Sequence, residues 1–116
     1  MAWPQRRAHK YGAKATVVDG VKFSSAAEAK FYKGLKLQQA AGDVVEIELQ
    51  PKFVLQEGFK KNGKTYLPIK YVADFKVTRK SGKVEIYDVK GMRLPAYIIK
   101  QKLFEYRYPD LTIKEV

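Results

Sequence analysis

The chain has no cysteine and a single histidine, His9. The first absence excludes a disulfide framework, a thiolate zinc site and a thiol nucleophile. The second excludes a His-rich metal centre and argues against a Ser-His-Asp triad. Acids are scarce too: 12 Asp and Glu stand against 23 Lys and Arg, a formal charge of +11 on 116 residues. No apolar run approaches the ~20 residues needed to span a bilayer. The opening Met1-Ala2-Trp3-Pro4-Gln5-Arg6-Arg7 lacks the apolar stretch of a signal peptide. The expectation is an intracellular, cytoplasmic protein with no membrane partner. Any catalysis has to run on carboxylates, lysines, hydroxyls and a hard metal ion.

What is present suffices for one folded domain: 46% hydrophobic residues, with six Phe, eight Tyr and one Trp. A small, strongly basic domain points to a polyanionic partner, nucleic acid ahead of an anionic membrane. The charge is unevenly spread. Residues 1–22 carry net +4 and residues 59–102 net +9, whereas 23–58 and 103–116 each carry −1. That asymmetry favours a binding face, although lysines that serve only solubility also make a protein basic.

Residues 1–22 read as a basic N-terminal arm with a short hairpin near Thr16 to Gly20, and residues 23–116 as a single domain. Ser24 and Ser25 are N-cap residues, Glu28 stands three after Ser25, and helix formers run to a stop at Gly42. Strands follow at 44–49 and 52–56, broken by Pro51, then a loop with Asn62-Gly63 as its turn signal. Residues 66–78 and 83–90 read as two strands of a hairpin. From 96 to about 107 the spacing of Ala96, Ile99, Leu103 and Tyr106 is helical. A strand over 111–116 closes an α/β domain of order αβββαβ, a mixed sheet flanked by helices.

Three acid-x-Lys tripeptides occur, at Glu28, Asp74 and Asp88, about as many as the composition supplies by chance. Hairpin register separates them. Lys80-Ser81-Gly82 suits a three-residue loop, a type I turn followed by a left-handed glycine, which pairs Arg79 with Lys83. Asp74 then falls directly opposite Asp88 on one face, and Lys90 points the same way. Ala73 with Val89 and Phe75 with Tyr87 take the other face. A two-residue turn would put the aspartates on opposite faces. Two carboxylates facing across a strand pair, with Cβ atoms about 5 Å apart, repel. Lys90 offsets part of this, and a divalent cation offsets more, since Mg²⁺ takes one or two carboxylates with water and phosphate oxygens. Solvated or salt-bridged aspartates on an exposed hairpin are the competing reading.

Glu28 has two readings as well, a capping partner of Ser25 or an acid facing the sheet, since Phe31, Tyr32 and Leu35 share its side of the helix. Lys100, on the last helix, is either a phosphate contact or a solvated lysine. Trp3, Arg6, Arg7, His9 and Lys10 are candidates to grip a nucleic-acid backbone from the arm.

Glu28, Asp74, the run Asp88-Val89-Lys90 and Lys100, in that order, resemble the PD-(D/E)xK nuclease superfamily. More narrowly, Lys10-Tyr11-Gly12-Ala13-Lys14, the run from Asp19 to Glu28, Gln50-Pro51, Tyr71-Val72-Ala73-Asp74-Phe75 and Asp88-Val89-Lys90-Gly91 resemble a family of small phage and prophage proteins. The resemblance spans about residues 10–116. It implies a restriction-endonuclease-like core and a DNA endonuclease dependent on Mg²⁺ or Mn²⁺. Asp74, Asp88 and the Val89 carbonyl would be metal ligands, Lys90 would orient the attacking water, and Glu28 would be a further acid of the site. Arg6, Arg7, Lys10 and Lys100 are candidate DNA contacts by their charge and position, and the substrate expected is double-stranded or branched DNA such as a Holliday junction, with a nicking or end-cleaving endonuclease as the competing form. Resolvases of this superfamily act as dimers, which leaves a homodimer open. Ala73 stands where the superfamily has proline, and Asp88 where glutamate is commoner. A non-catalytic nucleic-acid-binding module and an accessory phage protein are the competing functions.

Overall fold

A computed structural model describes residues 15–89 and 93–116. Arg6, Arg7, Lys10 and Lys90 lie outside them. Packing divides the chain after Val44 into two units.

In the first unit, β1 (Thr16–Val18) and β2 (Val21–Phe23) pair antiparallel, Thr16 against Phe23, across the turn at Asp19-Gly20. Ser25 caps α1 (Ala26–Ala40) by accepting the Glu28 amide at 3.1 Å, and the Glu28 carboxylate accepts the Ser24 hydroxyl at 2.8 Å. The first four backbone N–H groups of a helix have no partner within it, and Ser25 satisfies one of them. The helix buries Ala29, Tyr32 and Leu35, and the Tyr32 ring packs 5.0 Å from that of Phe23.

The following elements are β3 (Val44–Leu49), β4 (Lys52–Gln56), β5 (Phe59–Lys61), β6 (Lys64–Tyr66), β7 (Ile69–Val72), β8 (Phe75–Arg79), β9 (Val84–Asp88), α2 (Pro95–Arg107) and β10 (Ile113–Glu115). One sheet has the order β10-β9-β8-β3, and β4-β7 and β5-β6 form two-stranded ladders. The β8–β9 hairpin is antiparallel, whereas β9 and β10 are parallel, joined through α2. The described residues thus form a mixed α/β fold, mostly strand with two helices.

The β8–β9 register is the expected one. Phe75 pairs with Tyr87 and Thr78 with Val84, the Arg79 amide donates to the Lys83 carbonyl at 2.8 Å, and Gly82 takes φ +90°. Two expectations are corrected. Residues 66–78 are not one strand but the end of β6, then β7 and β8, and the loop around Asn62-Gly63 is a paired hairpin, β5–β6. The expected helix is present at 95–107; it buries Tyr97 and Phe104, while Ile99 is 60% and Tyr106 89% exposed. This helix is apolar on both sides, so periodicity alone could not choose the face.

The buried face of α2 meets β4, β7, β9 and β10 in a cluster of Leu55, Tyr71, Ala73, Ile86, Tyr97, Phe104 and Ile113, with Phe53 and Tyr108 packed against it. Much of the aromatic content goes here. Phe104 lies edge-on to Phe53 at 5.0 Å and to Tyr71 at 5.6 Å. Such pairs add to the stabilisation that burial alone provides.

Candidate active site

Asp74 sits at a corner between two ladders. Beside it, the Ala73 amide donates to the Pro51 carbonyl at 3.1 Å, and the Gln50 amide donates to the Asp74 carbonyl at 3.0 Å, which carries the β4–β7 register past the strand ends. Gln50 turns this corner at φ +49°, a conformation that L residues seldom adopt. On the other side, the Asp74 amide donates to the Tyr87 carbonyl at 3.1 Å, although Tyr87 is the ladder partner of Phe75. Asp74 and Phe75 therefore both face Tyr87, a one-residue slip of the bulge kind, which re-aims side chains.

The slip corrects the expected geometry. Ala73 packs in the cluster with Ile86 rather than pairing with Val89 on the Phe75 face. Asp74 is not the direct ladder partner of Asp88. Its Oδ2 instead accepts the Val89 amide at 2.7 Å, so its carboxylate binds the backbone one residue beyond Asp88. The Asp74 carboxylate thus lies against the peptide that follows Asp88.

Asp88, the last residue of β9, is 2% exposed. A carboxylate so placed needs hydrogen-bond donors, and the Tyr71 hydroxyl donates to its Oδ2. Burial, then this hydrogen bond and the charges of Asp88 and Asp74, push the Tyr71 phenol well above its usual range. Tyr71 therefore stays a donor at any ordinary pH. Glu115 is the parallel ladder partner of Asp88. Its Oε2 accepts the Tyr97 hydroxyl at 2.6 Å and lies 3.4 Å from Arg93 Nε. Burial first, then the bond to Glu115 and the charge of Asp88, raise the Tyr97 phenol. Tyr97 and Glu115 were not singled out in the sequence, and Tyr71 entered only as the first residue of the Tyr71-Val72-Ala73-Asp74-Phe75 motif. The available signal was that a buried phenol needs a polar partner, which does not say which of eight tyrosines is meant.

A second acid of β9 serves a different purpose. Glu85, 8% exposed, is held by Arg79 at 2.6 Å, Lys114 at 2.8 Å and the Tyr87 hydroxyl at 2.9 Å. Burial would raise its carboxyl, but the bonds from Lys114, Arg79 and Tyr87 outweigh it and hold the pKa at about 2.

Of the remaining candidates, Glu28 lies in the first unit, where its described contacts are with the start of α1. Lys100 is half-buried one turn after Tyr97 on α2. Arg6, Arg7, Lys10 and Lys90 fall outside the described residues.

Residues 8–116 match the family described as "Protein of unknown function (DUF1064)". The chain belongs to that family. No curated protein and no solved structure matches it. In this DUF1064 protein the acidic side chains at the open end of the β8–β9 hairpin are the carboxylates of Asp74 and Asp88, hard oxygen ligands. Among the described residues no cluster of three or more His, Cys, Asp or Glu occurs. This set fits Mg²⁺ or Mn²⁺, whose shell is completed by water and phosphate oxygens, and does not fit zinc. No helix among the described residues is long and apolar enough to cross a membrane.

Proposed function

We propose that this protein is a metal-dependent DNA endonuclease of the PD-(D/E)xK type. The observation that carries the reading is the seat of the Asp74 carboxylate on the amide of Val89, the residue after buried Asp88, whose own carboxylate accepts the Tyr71 hydroxyl. In a chain of net charge +11, two acids held at one strand end are the exception to the surrounding charge. With the β1–β2, β4–β7 and β5–β6 ladders set aside, the two helices and the four strands of the β10-β9-β8-β3 sheet follow one another in the chain as αβββαβ, which supports a restriction-endonuclease-like reading of the core.

Asp74, Asp88 and the Val89 carbonyl would hold the cation. When bound, Mg²⁺ or Mn²⁺ supplies positive charge to the scissile phosphate and lowers the pKa of a coordinated water. Tyr71 fixes the Asp88 carboxylate, as partners of metal-binding carboxylates do elsewhere. Lys90, next after Val89 in sequence, supplies positive charge where the phosphorane-like transition state gathers negative charge. Water adds across the P–O3′ bond, leaving a 5′-phosphate and a protonated 3′-hydroxyl. Branched DNA such as a Holliday junction, cut by a homodimer, is the narrower form of this reading.

The test compares wild type with Asp88→Ala and Lys90→Ala on linear, nicked and four-way-junction DNA, with Mg²⁺, Mn²⁺ or chelator. Metal-dependent cutting that both substitutions abolish supports the reading. Cutting by Asp88→Ala at the wild-type rate, or none by wild type with either metal, overturns it.

A further inference from the structure

The β5–β6 hairpin projects a chemistry that the carboxylate site does not use. Asn62 and Gly63, at φ 52° and 73°, form a two-residue turn that pairs Lys61 with Lys64, Lys60 with Thr65 and Phe59 with Tyr66. All six strand residues are exposed. Alternation puts Phe59, Tyr66, Lys61 and Lys64 on one face. The two rings lie parallel, 4.7 Å apart and inclined by 11°, yet Phe59 is 45% and Tyr66 39% exposed. Lys64 Nζ stands 5.1 Å from the Tyr66 ring. From Gly58 to Ala73 there are four lysines and no acid.

Two features here are unfavourable in isolation. Like charges paired across a ladder destabilise it, and flat aromatic surface left in water forgoes the gain of burial. A partner that relieves both must bring anionic groups to Lys61 and Lys64 and flat apolar surface to the rings. A nucleic-acid strand with unpaired bases has both, phosphates on one side and π-faces on the other. A fully paired duplex offers only the phosphates.

We infer that the β5–β6 hairpin is a nucleic-acid-binding arm, with Lys61 and Lys64 on phosphates and the Phe59–Tyr66 pair as a stacking platform for an unpaired base. The inference concerns binding rather than cleavage and does not depend on Asp74 or Asp88.

Full-length protein is titrated, with chelator present, against one labelled oligonucleotide, either single-stranded or annealed to its complement, at several salt concentrations. Fluorescence anisotropy reads affinity, and thermal melting of each variant reads the fold. Phe59→Leu/Tyr66→Leu keeps apolar bulk across the hairpin but removes the π-faces. It should weaken single-strand binding roughly tenfold and leave duplex binding within about twofold. Lys61→Gln/Lys64→Gln keeps the ring pair. It should weaken both and reduce the salt slope by about 2. Unchanged single-strand affinity in the leucine variant, equal losses on both DNAs, or loss only together with the melting transition overturns the inference. Because the metal is chelated, failure of the endonuclease reading would leave this result unaffected, and failure here would leave cleavage at Asp74 and Asp88 untouched.

Discussion

The Tyr71 hydroxyl is the group through which the core reaches the candidate site: its ring packs with Phe104 and Tyr97, and its oxygen donates to buried Asp88. Tyr71→Phe keeps the ring and removes the donor. It should cost about 1 kcal/mol or more of stability, because a buried acceptor loses a partner. It should also weaken divalent-cation binding by ~10–100-fold. Denaturant melts and calorimetric titration with Mn²⁺ check the two effects separately. Glu85 gives the pH-dependent counterpart. Its folded pKa of about 2 lies below the ordinary value of 4.5, so its stabilisation is fully present above pH 4.5 and is lost as pH falls toward 2. The difference amounts to up to about 3 kcal/mol. Glu85→Gln should therefore be less stable than wild type at pH 7, with the gap closing by pH 2.5 in urea melts. A gap that stays constant with pH would contradict the assignment.

At the scale of elements, what was legible in the sequence was local. Ser25 with Glu28 marked the start of α1, and Lys80-Ser81-Gly82 set the β8–β9 register, because caps and short turns are decided by neighbours in sequence. The corner at Asp74 was not legible, since it arises from the Gln50 and Pro51 backbone, more than twenty residues away, and no glycine marks it. The buried face of α2 was not legible, because apolar side chains line both sides of it. The β5–β6 hairpin passed for a loop, since each of its strands has only three residues and half of the six are lysine. Gly58 fits closely at its base: an added Cβ would stand 2.9 Å from the Tyr66 carbonyl oxygen and 3.1 Å from the Pro68 ring. Gly58→Ala should cost about 1–3 kcal/mol through that crowding, read as a lower denaturant midpoint with an unchanged slope.

Over the whole molecule, the charge of +11 sets how binding should respond to salt. If the hairpin and its neighbours neutralise about four phosphates, DNA affinity should fall about a hundredfold between 50 and 200 mM salt. Anisotropy titrations at four salt concentrations measure this, and a flat response would remove nucleic acid as the partner. The carboxylates make the sharper claim, that this basic protein holds a divalent cation at the end of β8–β9 and uses it to cut its polyanion. Calorimetric titration of wild type, Asp74→Asn and Asp88→Asn with Mn²⁺ tests that claim most directly. The account predicts binding to wild type that either substitution weakens at least tenfold while the melting transition persists. Equal Mn²⁺ binding by wild type and Asp88→Asn, or none by wild type, would contradict it.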